Sequence, residues 1–271
     1  MNIAFNFDYH HHNGLMVRLL NAIKKRAATT VYLQQENNRY TLEASGDQET
    51  LEALAELVSK MVPLSLFLQE PQLQEVETIE AEDQFLDDSS RFYEVPYCPT
   101  CQEGILNRTL TQFDVCDVCG CSDPQFDYNV VMKQFNDNTF YESIDSKAQE
   151  LIESGVITLL TSNGERRLSI SEKAQTGAYG ILSCNMEALP DGFVITESEL
   201  QTLILVEKPV IRLKPKLKLR VSHELERLFY ELFIADDPLT LALTLALKKH
   251  GVELLFSSHP PALRCVTALE H

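Results

Sequence analysis

The chain has 271 residues, of which 44% are hydrophobic and 23% charged, and a formal net charge of -17. That length suits two or three compact units of about 100–150 residues each, and the composition is that of an ordinary globular protein. The acidic balance argues against general nucleic-acid binding, which draws on clustered Lys and Arg. No run of about 18 apolar residues is present to span a bilayer. The start, MNIAFNFDYHHHNG, lacks a basic region followed by an apolar one, so it does not read as a secretory signal, and a cytoplasmic location is expected.

From the N-terminus, Ile3, Phe5 and Phe7 alternate as in a strand, and Met16, Leu19, Leu20 and Ile23 follow at helical spacing. His10, His11 and His12 are consecutive, so they point to opposite faces and cannot all reach one metal. Residues 29–45 predict a hairpin turning at Glu36, Asn37 and Asn38. A second helix over 48–62 aligns Leu51, Leu54, Leu57, Val58 and Met61, with Asp47 as its N-cap. Strand, helix, hairpin and helix in this order predict an antiparallel sheet covered by helices. Between Glu70 and Glu94 lie nine acidic residues and one basic residue, Arg91. This stretch is expected to add an edge strand at LQEVETIEA and then become a solvated acidic linker, or else a docking site for a basic partner.

Cys98 and Cys101 form one C-x-x-C pair, Cys116 and Cys119 a second, with fourteen residues between them. Four thiolates in two such knuckles are the ligand set of a closed, structural Zn2+ site, and Gly120 relieves strain in the second knuckle. Cys121 is an alternative fourth ligand, and disulfides or a redox pair are the competing readings of the cluster. Cys184 and Cys265 stand alone.

The remainder alternates helix and strand. A helix over 147–154 ends at Gly155, and residues 156–160 follow as a buried strand. Thr196 and Glu199 form a capping box. Asp237 caps a helix that opens on Pro238 and ends with Lys248, Lys249 and His250 before Gly251, so Asp236 and Asp237 read as caps before they read as catalytic acids. Residues 252–256 predict another strand, and the alternation implies an α/β layer domain. Along IRLKPKLKLRV, residues 211–221, the cations Arg212, Lys214, Lys216, Lys218 and Arg220 fall on one face of an extended chain. That stripe is either an edge strand protected by Lys and Pro215 or the lining of an anion site. No G-x-x-x-x-G-K-S/T, G-x-S-x-G or H-E-x-x-H motif is present.

The order of these pieces resembles HypF, the carbamoyltransferase family that matures [NiFe] hydrogenases. Gly14-Leu15-Met16-Val17-Arg18 is similar to the G-x-x-x-R phosphate loop of its acylphosphatase-like domain. Residues 44–63 resemble that domain's second strand and helix, and YCPTCQEGIL resembles the first zinc knuckle. Residues 151–170 and 233–259 resemble the opening and closing parts of a YrdC-like domain. The resemblance implies an α+β multi-domain protein. A ferredoxin-like (acylphosphatase-like) αβ sandwich with an acidic linker would occupy 1–90, a four-cysteine zinc-ribbon-like module 91–130 and a YrdC-like α/β domain 131–268, leaving 269–271 as a tag remnant. It further implies carbamoyl phosphate or nucleotide as ligand, contacted by Gly14, Arg18, Asn163, Gly164, Arg212, Lys214 and Lys216, and a hydrogenase-maturation protein as partner. The family's asparagine falls near Gln34 or Gln35, and its Lys-and-Arg motif is not evident after Ile170. Two functions therefore stand: a shortened carbamoyltransferase-like enzyme, and a non-catalytic zinc-stabilised adaptor for a protein partner or RNA.

Overall fold

The structure is a computed structural model that describes residues 1–11, 14–87, 96–109, 116, 118, 140–161, 164–174, 180–258 and 266–267. The chain divides into two compact units, one formed by residues 1–101 and 114–123, the other by 102–113 and 124–271. Both mix helices with sheet. Among the described residues no helix is long and apolar enough to cross a membrane.

In the first unit the elements run β1 (Asn2–Asp8), α1 (Leu15–Arg26), β2 (Val31–Glu36), β3 (Arg39–Ser45), α2 (Gln48–Met61) and β4 (Gln72–Glu75). The sheet order is β2-β3-β1-β4, and every pairing is antiparallel. Phe7 of β1 is fully buried, and Phe5 stacks beside it at 6.4 Å. The β2–β3 turn falls at Asn37, whose φ of 55° is a left-handed conformation that Asn tolerates. Asp47 caps α2 by accepting the Thr50 N–H at 2.9 Å.

The acidic stretch departs from the expected linker. Its edge strand is only four residues long, and the chain beyond it is held to the first unit by two buried side chains. The Glu43 carboxylate on β3 accepts the N–H groups of Glu80 and Ala81, both at 2.7 Å. Asn21 on α1 donates to the Leu86 carbonyl at 2.8 Å and accepts its N–H at 2.9 Å. Leu33 of β2 donates its N–H to the Glu82 carbonyl at 3.0 Å. The charges in this stretch face water while its backbone is met from below, a division that composition does not reveal. Residues 88–94 lie outside the described residues.

α3 (Pro99–Leu106) contributes residues to both units. The second unit continues with α4 (Phe140–Ser154), β5 (Val156–Thr161), β6 (Gly164–Ser169), β7 (Gly180–Ser183), α5 (Leu189–Gly192), β8 (Phe193–Val194), α6 (Glu197–Leu203), β9 (Val210–Pro215), α7 (Leu217–Ser222), β10 (Tyr230–Phe233), α8 (Pro238–Lys249), β11 (Leu254–Ser257) and β12 (Val266–Thr267). The sheet runs β12-β9-β10-β7-β11-β6-β5, with β8 added on β9. The β7–β10 and β9–β12 pairs are parallel. One apolar cluster joins α4 and α8 to Leu159, Leu182, Phe233 and Leu255 of the sheet. A second gathers Leu189, Phe193, Leu203 and Leu219 around Ile181, Ile211 and Phe256. Gly155 and Gly251, at φ 76° and 78°, end α4 and α8 as expected. The capping box of α6 is formed, with Thr196 and Glu199 each accepting the other's backbone N–H.

Two features depart from the alternating basic strand. β9 lies inside the sheet rather than at its edge, and it stops at Pro215. Proline has no N–H to extend the ladder, and the next residue, Lys216, donates its N–H to Gly192 at 2.8 Å. Residues 217–222 then coil into α7, where Leu217 and Val221, four residues apart, are 75% and 71% exposed. The stripe of five cations is thereby cut to Arg212 and Lys214.

Arg166 on β6 is 1% exposed. Its guanidinium meets Asp236 with two hydrogen bonds of 2.5 and 2.9 Å and approaches Asp237 at 3.6 Å. Burial raises the Asp237 carboxyl above the ordinary carboxylate range, Arg166 pulls it back down, and Asp236 raises it again. A carboxyl with a raised folded-state value takes up a proton on folding. Its stabilising contribution is complete below the unfolded value near 3.8 and fades as pH rises through the folded value. Asp236→Ala is expected to cost about 3–5 kcal/mol in denaturant unfolding, because it strands a buried cation. Asp237→Asn keeps an N-cap oxygen and should raise the melting temperature at pH 7, with the gain shrinking toward pH 4.

Candidate functional site

Three of the four expected metal ligands are described. Cys98 precedes α3, Pro99 occupies the helix's first position, and Cys101 lies one turn on. The Cys101 N–H points to Cys98 Sγ at 3.4 Å. Cys98 Sγ and Cys116 Sγ are 3.6 Å apart, well beyond a disulfide bond of about 2.05 Å. The three sulfurs lie within 4.8 Å of one another and all three residues are buried. Buried thiols converging in this way form a donor set for a soft metal ion. Cys119, Cys121 and Cys265 lie outside the described residues. Cys184 is buried among apolar side chains, which pushes its thiol pKa well up, so it is inert.

In the first unit, Gly14 adopts φ 75° and is the N-cap of α1. It offers no capping side chain, and the first turn contains no acidic residue. Arg18 is half-buried in that turn, its N–H donated to the Gly14 carbonyl at 3.2 Å. The neighbouring histidines take separate partners: His10 lies 3.1 Å from the Gln69 amide, whereas His11 packs on Phe67 at 4.4 Å. His12 lies outside the described residues.

In the second unit, the expected ligand contacts are not gathered in one place. Gly164, at φ 95°, opens β6, four strand positions from β9. That is about 19 Å at the usual interstrand spacing. Asn163 lies outside the described residues. Lys216 is tied down, its ammonium donating to the Pro190 carbonyl at 2.5 Å. Arg212 and Lys214 remain exposed on one face of β9. Cavities of about 360 and 120 Å³ in this unit are lined by other residues, the larger by Tyr141, Arg108 and Lys249 and the smaller by Lys218 and His223.

Two neighbours of Arg212 were not singled out in the sequence. Its guanidinium lies 5.2 Å from the centroid of Phe229, itself 41% exposed, within cation–π range. Glu231 of β10 is the residue directly opposite Arg212 in the ladder. No periodicity carries this information, because it depends on the register between two strands separated by α7.

No family profile matches the chain, and no curated protein matches it in sequence. Its fold is similar to that of T. kodakarensis HypF in a crystal structure, with a TM-score of 0.63 and 12% identity over 95% of this chain and 42% of that one. A full-length HypF in its phosphate- and nucleotide-bound form aligns with a TM-score of 0.48 and 14% identity, over the same shares. The chain thus spans less than half the length of the HypF chains it matches, and the likeness is one of fold.

Proposed function

We propose that the chain is a zinc-stabilised relative of the hydrogenase-maturation carbamoyltransferases, built from acylphosphatase-like, zinc-binding and YrdC-like parts, that binds a phosphorylated carbamoyl donor or a nucleotide. The observation that carries this reading is the fold likeness to HypF over 95% of the chain, with the thiol cluster lying at the start of α3. The β-α-β-β-α-β order of the first unit is that of the ferredoxin-like arrangement and supports its acylphosphatase-like reading. An uncapped α1 N-terminus with Arg18 in its first turn suits a phosphate. In the thiol cluster, sulfurs on a tetrahedral zinc stand about 3.8 Å apart for Zn–S bonds of about 2.3 Å, close to the 3.6 Å between Cys98 and Cys116. Cys119 supplies the fourth thiolate. Four thiolates close the coordination sphere, so the metal holds the fold together and performs no chemistry.

The adaptor reading draws on the exposure of Arg212 and Lys214 and on the distance from Gly164 to β9. In it the same scaffold would serve a hydrogenase-maturation partner.

Metal analysis of the purified chain should give one zinc per molecule, and Cys101→Ser should lose it. Chelation should open residues 96–118 to protease before the rest of the chain, since metal binding there is folding energy. Zinc-loaded protein incubated with ATP and carbamoyl phosphate should release AMP and pyrophosphate, and Arg212→Ala/Lys214→Ala should abolish the release. Absence of both turnover and ligand binding in the wild type would leave the adaptor.

A further inference from the structure

The larger cavity of the second unit, about 360 Å³, lies between the end of α3, the start of α4 and the C-terminal half of α8. Its volume falls in the range of small-molecule sites. Ile105 and Ala242, 1% and 4% exposed, lie at its base. Leu245 and Tyr141 line it further out, and Leu106, 54% exposed, stands at its rim. The Tyr141 ring is fixed in place because its hydroxyl donates to the Gly104 carbonyl at 3.3 Å. The remaining lining residues are Arg108, Lys248 and Lys249. Three cations and no carboxylate therefore surround an apolar space, in a chain with 40 acidic residues against 23 basic ones.

Arg108 is placed there against its backbone preference. α3 ends in two hydrogen bonds, from the Thr109 N–H to the Gly104 carbonyl at 2.8 Å and from the Arg108 N–H to the Ile105 carbonyl at 3.1 Å. That closure needs a left-handed residue, usually glycine, and here Arg108 adopts φ 56°. The conformation sets its guanidinium 5.4 Å from the Tyr141 centroid, within cation–π range, while Asp145 takes two of its five N–H donors. Lys248 meets Glu187 at 3.5 Å, and Lys249 joins no ion pair among the described residues. Helix dipoles account for lysines at the end of α8, but not for an arginine in a position that suits glycine. Backbone strain retained beside a cavity points to a ligand. We propose that this cavity binds a small molecule with an apolar body and a single anionic head. The body lies against Ile105, Ala242 and Tyr141, and the head is held by Lys248, Lys249 and Arg108. Aliphatic and aromatic carboxylates share this chemistry. The site is independent of the carbamoyl-donor or nucleotide reading, since it uses none of the same residues.

The test is calorimetric titration of the intact zinc-loaded chain with octanoate and phenylbutyrate, each against its neutral amide. The acid should bind about tenfold more tightly than its amide, as expected for a charge-assisted contact, and the tighter of the two acids tells an aliphatic body from an aromatic one. Lys248→Met/Lys249→Met, which keeps most of each apolar stem, should bring the acid-to-amide ratio to about one while the amide still binds. Arg108→Gly should weaken the acid about tenfold and leave the melting temperature unchanged or higher, because glycine relaxes the turn and an exposed ion pair contributes little. A merely structural arginine would instead lower the melting temperature and leave the acid's affinity alone. Leu245→Trp, which fills the cavity, should exclude acids and amides alike. A wild type that binds acid and amide equally, or a preference that survives the double lysine variant, overturns the anion site. So does a wild type that binds no probe, including one that covers the cavity with a second copy and sediments as a dimer.

Discussion

A guanidinium removed from water must find its hydrogen bonds inside the protein, and Arg166 finds them at the start of α8. Its fork grips Asp236 while Asp237, the next residue, caps the helix by accepting the Thr240 N–H at 2.8 Å. One buried cation therefore fixes the point at which α8 leaves the sheet. α8 carries Leu239, Leu243 and Leu247 across β6, β7 and β11. A helix that began one residue earlier or later would present a different face to the sheet and leave these carboxylates without their partner. Such charge networks add little net stability compared with an apolar core, yet they penalise every alternative packing heavily.

The first unit obeys the same rule with different groups. Glu43 and Asn21 are polar residues buried in an apolar body, and each satisfies backbone amides of the acidic stretch. In both units the polar groups inside set where a connecting segment lies, while the apolar residues around them supply the bulk of the burial energy.

Much of this architecture was readable in advance where the signal was local. Alternation gave β1, helical spacing gave α1 and α2, and the caps at Asp47, Thr196 and Asp237 were visible because a cap is a relation between residues three positions apart. The approach of Cys116 to the first C-x-x-C pair was likewise legible, since the spacing of such cysteines is encoded along the chain. Most of the misread positions depend on contacts distant in sequence. Residues 217–221 alternate as well as any strand, but Pro215 ended the ladder and the segment coiled into a helix that turns Leu217 and Val221 outward and packs Leu219 into the second apolar cluster. The acidic stretch read as a linker because its charges dominate its composition, whereas the groups that hold it are 37 to 65 residues away. The juxtaposition of Arg212 with Glu231 is a matter of register, which no window of sequence contains.

The hydrogen bond from Leu33 to Glu82 places a strap along the outer edge of β2. A sheet of four strands has two rims, each a row of unpaired amides and carbonyls ready to recruit a foreign strand. Here one rim is crossed at Leu33 by the chain's own acidic segment. The other, β4, is only four residues long and fully exposed, too short to template an extended partner, and Glu75 stands at its end. The segment richest in negative charge thus lies where a foreign strand would otherwise meet Leu33, and a like-charged copy would be repelled there.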